Sequence, residues 1–187
     1  MRTLRTCRAR RGVATLWVIV SLPAALCLLA VVIETGNLFL ARVELLNAVE
    51  AAALAGADAW QDGAGAGSQA AARNRAAELA AANTVNGQPV VIDPNPGNAM
   101  CGVNPSIAAN VVIVGTITGA TPYTFHADAT PPQNNRAVRV HGSAAVNSVL
   151  AEVCGITIGS FEVTAHATAR PTGDEAELIR IGAVICP

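Results

Sequence analysis

Gly12 to Ile33, GVATLWVIVSLPAALCLLAVVI, is a run of 22 residues without a charged side chain. As a helix it extends about 33 Å at 1.5 Å per residue. That length crosses the hydrocarbon core of a bilayer. Pro23 would break the interior of a water-exposed helix, but a membrane helix tolerates it because neighbouring groups and Ser/Thr side chains take up the freed carbonyl. A cleaved secretory signal is the competing reading. Its apolar region would be shorter and would end in a small-x-small site. Here the run passes into Glu34, Thr35 and Gly36 and then a helical pattern, so a retained anchor is expected.

The charges around this run set its orientation. The formal net charge of −1 hides five arginines and no acid in residues 1–11, followed by seven basic and thirteen acidic residues in the rest. Arginines before the span, with Glu34, Arg42, Glu44 and Glu50 after it, place the N-terminus in the cytoplasm and everything past residue 34 outside. The basic head also attracts anionic lipid headgroups, by roughly 1 kcal/mol per residue. Every basic residue is arginine. Chemistry that needs lysine, such as a phosphate-loop lysine or a Schiff base, is therefore excluded.

Beyond the span, Asn37 to Asp58 continues without proline and is rich in Ala, Leu and Glu, the strong helix formers. The spacing places Val43, Leu46, Val49 or Glu50, Ala53 and Ala57 on one stripe. Its small residues allow close approach of another helix, or the stripe covers the chain's own sheet; both readings stay open. Gly63-Ala-Gly-Ala-Gly67 signals a hinge. A second helix is expected from a Ser68 cap to about Asn83, with Arg73, Arg75 and Glu78 exposed.

Residues 84–109 are rich in Asn-Gly and Asn-Pro pairs and are expected to hold at most one edge strand, at Val90-Val-Ile92. Strands are predicted over 110–117, 122–126, 137–141, 161–168 and 178–185. A short helix over 143–153, capped by Ser143 and closed by Gly155, should interrupt them. The expected class is α+β: a long transmembrane helix continuing into an amphipathic helix, then a small, mostly antiparallel sheet with a short helix. The divisions are a basic tail at 1–11, the span at 12–33, the amphipathic helix at 34–62, a hinge and second helix at 63–83, and a β-rich domain at 84–187.

Cysteines divide by compartment under this topology. Cys7 faces the cytoplasm and Cys27 lies in the span, whereas Cys101, Cys154 and Cys186 fall outside, where disulfides persist. A hairpin of the last two strands around 171–177 would set residues 169 and 178 opposite each other and bring Cys186 near Phe161. Cys154 to Cys186 is then the favoured link, with Cys101 as the alternative partner and three reduced thiols as the remaining reading. With no C-x-x-C pair, a zinc or redox motif has little support.

Residues two apart share a strand face, so His126 and Asp128 could present two ligands together, joined by His141 or His166 from neighbouring strands. Lone strand histidines are more often half-exposed packing residues. The chain has neither a G-x-S-x-G elbow nor a G-x-G-x-x-G phosphate loop, and Arg136 with Arg139 is too sparse for a nucleic-acid face. No enzyme activity, cofactor, metal, nucleic acid or small-molecule substrate is expected.

Arg11-Gly-Val-Ala-Thr-Leu-Trp-Val-Ile-Val-Ser-Leu-Pro23 and Leu38-Phe-Leu-Ala-Arg-Val-Glu-Leu-Leu-Asn-Ala-Val-Glu-Ala-Ala-Ala-Leu-Ala-Gly-Ala-Asp58 together resemble the N-terminal region of TadE/TadG-like proteins, pilin-like accessory proteins of the tight-adherence Flp pilus system. Val111 to Gly115, Asn135 to Val140 and Val163 to Ala169 are similar to that family's later strands. The resemblance implies a single-pass inner-membrane protein of a pilus assembly or secretion machine, with its C-terminal domain periplasmic or extracellular and no catalytic residues. Other pilus-assembly membrane proteins or pilin-like subunits are its implied partners, through the N-terminal helix. It also implies pilin-type processing between Gly12 and Val13. There Trp17 stands where the family pattern has glutamate, which argues against cleavage. The adhesive von Willebrand-like domain of longer relatives does not fit this chain length. A different class of function, an anchored surface- or ligand-binding module, would act through the Pro/Asn-rich loops at 93–109 and 127–136.

Overall fold

The computed structural model describes residues 11–61, 66–98, 110–128, 135–154, 159–172 and 175–186, with side chains left out at 11–13, 66–68 and 152–154. Helix α1 runs unbroken from Arg11 to Gln61, with Pro23 inside it. Its 51 residues make a rod of about 77 Å. The most apolar eighteen-residue stretch has a mean hydropathy of 2.7 and no residue buried in the fold. Docking of the rest of the chain begins at its end. Leu150 N–H donates to the Glu34 carboxylate at 3.3 Å, and the Asn37 amide donates to the Asn147 carbonyl at 3.3 Å.

From Ala41 onward one stripe of α1 is buried: Leu45, Val49, Ala53, Ala57 and Trp60, flanked by Ala48 and Ala52. The buried stripe differs from the predicted one. Val49, Ala53 and Ala57 are inside, but Val43 and Leu46 are exposed. They continue the exposed apolar surface of the first half of α1 instead, along with Phe39 and Leu40. The alanines meet helix α2, Ala66–Ala82, through Ala72, Ala76 and Ala80. Gly56 permits this approach: a Cβ there would lie 3.0 Å from the Ala72 carbonyl oxygen and from Val138 Cγ1. The small-residue stripe thus covers the chain's own α2 and sheet.

Helix α2 starts before Ser68, so Ser68 lies within its first turn. Arg75 pairs with Glu78 on the exposed side, but Arg73 is buried, contrary to expectation. It turns inward because an acceptor awaits it: the Asn98 side-chain oxygen, at 3.0 Å. Asn98 ends a short 3₁₀ turn at Pro96–Asn98.

Two-residue strands β1, Thr84–Val85, and β2, Gln88–Pro89, form a hairpin in place of the edge strand expected at 90–92. Asn86 and Gly87 at its tip both have positive φ, 51° and 73°. That is the type I′ geometry Asn-Gly supplies.

The main sheet contains β3 (Val111–Thr118), β4 (Tyr123–Ala127), β5 (Arg136–Val146), β6 (Phe161–Thr172), β7 (Glu175–Leu178) and β8 (Ile181–Ile185), in the order β7-β6-β5-β3-β4-β8. Strand β5 runs through Ser143, where a helix was expected. Gly142, Ala144 and Val146 alternate toward α1 with strand period. Helix α3 is confined to Val149–Cys154, and Ser148 caps it by accepting from the Ala151 N–H at 3.1 Å.

The C-terminal strands depart furthest from expectation. Ala169 does face Leu178, but the hairpin ends there. After Ile179 and Arg180 the chain leaves β6 and joins the opposite edge, with β8 parallel to β4. In a flat sheet those edges would be about 24 Å apart, whereas two intervening residues reach only about 10 Å. The sheet must roll until β4 and β6 approach each other. Backbone bonds record the crossing: Ile179 N–H donates to the Thr168 carbonyl at 2.9 Å, and Tyr123 N–H donates to the Arg180 carbonyl at 3.0 Å. The Arg170 guanidinium from β6 lies 5.3 Å from the centre of the Tyr123 ring on β4.

Rolling creates two cores. Val112, Val114, Val138, Val140 and the alanines of β6 pack under α1, while Val111, Ile113, Ile117, Phe125 and Ala137 fill the inside of the roll with Ile179 and Ile181.

Candidate functional site

Two surfaces stand out. The first is α1 itself, exposed on all its large apolar side chains from Leu16 to Ile33 and then, on one side, at Phe39, Leu40, Val43 and Leu46. No element of the described fold covers this surface. Gly12 and Val13 lie at the start of the helix. Cys27, within this apolar stretch, is a free, exposed thiol.

The second surface is the face of the sheet turned away from α1. Its register pairs Ile113 with Arg139 and Val111 with His141 across β3 and β5, then Arg139 with Thr168 and His141 with His166 across β5 and β6. All of these share a face. His126 pairs with Thr116, and Thr116 with Arg136, so His126 and Asp128 point to the opposite side. The ligand set imagined from His126, Asp128 and His141 or His166 is therefore split by strand parity. No group of three His, Cys, Asp or Glu among the described residues is placed to hold a metal. His126 instead shares a hydrogen bond with the Thr118 hydroxyl at 3.0 Å.

Arg136 and Arg139 are divided in the same way. Arg136 lies over the Trp60 ring at 5.3 Å and donates to the Trp60 carbonyl at 3.4 Å, joining the sheet to the end of α1. Arg139 enters the roll and is only 6% exposed. Its Nε donates to His141 Nε2 at 3.3 Å, and a terminal nitrogen donates to the Thr168 hydroxyl at 3.1 Å. The His141 and His166 rings stack with centroids 5.2 Å apart.

Burial governs the charges here. It lowers Arg139 to about 10. His141 is pushed down to about 4, first by burial and then by the charges of Arg139 and His166. His166 is lowered by burial and by Arg139. The bond from Arg139 Nε requires an unprotonated His141 Nε2, which a neutral ring provides. Sequence reasoning missed this cluster, although a signal was present: Ala137-Val-Arg-Val-His141 alternates, which puts Arg139 and His141 together on the face opposite the valines.

The binding loops expected at 93–109 and 127–136 are only partly described, since 99–109 and 129–134 lie outside the described residues. The described part of the first loop closes the open side of β3. The Asn98 amide donates to the Val114 carbonyl at 2.6 Å, its oxygen accepts from Val114 N–H at 3.0 Å, and Asn95 donates to the Val112 carbonyl at 3.2 Å. These side chains replace a neighbouring strand.

Cys186, half-buried after β8, packs against the inner core and is not a free thiol. Its partner is not among the described side chains, and neither is Cys101 nor the Cys154 side chain. The crossing of β8 to the β4 edge removes the reason for placing Cys186 near Phe161, since that neighbourhood depended on the hairpin continuing.

Residues 12–59 match the family model described as putative Flp pilus-assembly TadE/G-like. The matched stretch coincides with α1 almost end to end. No curated protein and no solved structure matches the chain.

Proposed function

We infer, from a chain whose residues 12–59 are TadE/G-like, that it is a membrane-anchored, pilin-like component of a Flp-type pilus assembly or secretion machine. The role is structural and non-catalytic. The observation that carries this reading is the single continuous helix, bare and apolar over its first half and docked into a folded domain over its second. A rod of that kind fixes the domain at a set distance from the bilayer while leaving an exposed helix surface for other membrane helices.

The arginine head stays in the cytoplasm and the rolled sheet lies in the periplasm or beyond. In that oxidising compartment Cys186 is linked to Cys154 or Cys101. Trp17 makes processing at Gly12 and Val13 unfavourable, so the span is retained. Carbonate-washed membranes should keep the full-length protein, and proteases added outside the inner membrane should digest the domain while sparing a fragment containing the span. Affinity purification in mild detergent should recover other pilus-assembly subunits. A soluble, shortened product that purifies alone would overturn the assignment.

A further inference from the structure

The inside of the rolled sheet contains a buried cation without a counter-charge among the described residues. Arg139 donates to a histidine nitrogen and a threonine oxygen, both neutral acceptors, and no carboxylate among the described residues meets it. Of the described acids on this face, Glu177 is engaged by Arg170, Glu175 is exposed at the far end of β7, and Glu162 is exposed two register pairs beyond His166. A desolvated guanidinium held only by neutral groups is costly, and buried charges are ordinarily paired.

Beside it is a cavity of about 260 Å³ lined by Arg139, His166, Thr168 and, from the crossing segment, Ile179, Arg180 and Ile181. The donors converge on that space. Arg139 spends its Nε and one terminal nitrogen on protein acceptors, which leaves guanidinium N–H groups over. The Thr168 hydroxyl accepts from Arg139 and so retains its own O–H for donation. His166 offers a ring N–H, and Arg180 adds a second permanent positive charge from the rim. The His141–His166 stack stays neutral because burial lowers both rings. The fixed charge of the pocket is then that of its two arginines.

We propose that the pocket framed by Arg139, His166, Thr168 and Arg180 binds an oxyanion, a phosphate or carboxylate group that serves as the counter-charge of Arg139. The ligand sits where β7 hands over to β8. Its occupancy ties the crossing segment to β6 and holds the roll closed.

The test uses the full-length protein in neutral detergent, titrated with sodium phosphate in one arm and sodium acetate in the other, with sodium chloride holding ionic strength constant. Imidazole resonances of His166 and His141 report binding. Saturable shifts are expected, and Arg180→Ala and Thr168→Val should each weaken them about tenfold or more, the value of one charge-assisted hydrogen bond. Arg180 is exposed, so its variant keeps the fold if Thr168→Val does not. Saturation by phosphate alone identifies a phosphate-bearing ligand, and by acetate alone a carboxylate. Absence of a saturable response in both arms, or undiminished binding in Arg180→Ala, overturns the proposal.

Discussion

Acidification should destabilise the rolled sheet through His141, and replacing that residue should remove the effect. Its folded pKa of about 4 lies below the ordinary value of 6.5. Above pH 6.5 the ring is neutral in both folded and unfolded chains, so this site makes no difference. As pH falls from 6.5 toward 4 the unfolded chain takes up a proton that the folded one refuses, and stability drops. At 1.36 kcal/mol per unit the full shift corresponds to roughly 3 kcal/mol. Because the ring is partly open to solvent, screening reduces this to about 2 kcal/mol. Arg139 on the same strand and His166 on β6 oppose the added proton, and protonation also removes the acceptor for Arg139 Nε.

The assay is denaturant unfolding in neutral detergent at about pH 7.5 and about pH 4.5, followed by fluorescence of Trp60, which is 1% exposed. Many carboxylates titrate over the same range, so the informative quantity is the difference between the wild type and His141→Gln, which retains an acceptor for Arg139. The wild type should lose about 2 kcal/mol more than the variant between the two pH values. Equal losses would show that the folded state does not resist protonation at His141, and the reasoning from burial would fail.

Two further outcomes follow from packing and hydrogen bonding. Gly56→Val should lower stability by about 2 kcal/mol, because even a Cβ would press on the Ala72 carbonyl and Val138; an unchanged denaturation midpoint would mean α1 and α2 are not in contact there. Asn98→Ala should cost about 3 kcal/mol, since it strands Arg73 and the backbone N–H of Val114, while the Val114 carbonyl keeps only the Asp128 N–H; amide exchange at Val114 should accelerate while that at Val138 changes less.

Much of the fold could be read from local pattern. The uncharged run, the missing prolines beyond Asn37 and the β-branched segments identify α1 and most of the strands, because helix propensity and strand alternation are properties of a few adjacent residues. The starts of β3, β5 and β6 come within a residue of prediction for that reason. Capping was harder. Ser143 looks like a helix start in isolation, but the cap is Ser148. Gly142, Ala144 and Val146 gain more by extending β5 against α1 than by turning into a helix.

The sites were less legible. His126, His141 and His166 look equivalent in sequence, yet strand register divides them between two faces. Arg73 looks like a solvated helix residue until Asn98, 25 positions later, supplies its acceptor.

The sequence by itself determined the long helix with its uncharged first half, along with the division of charge on either side of that run. Each depends on a continuous stretch whose physics is local: the length of an apolar run, and arginines on one side of it. Only the tertiary structure decided which side of α1 is buried, where the C-terminal strand goes and which cations meet. Those outcomes depend on pairings between distant segments. The two residues between β7 and β8 bring β6 and β4 together, and that closure encloses Arg139 beside His166 and Arg180.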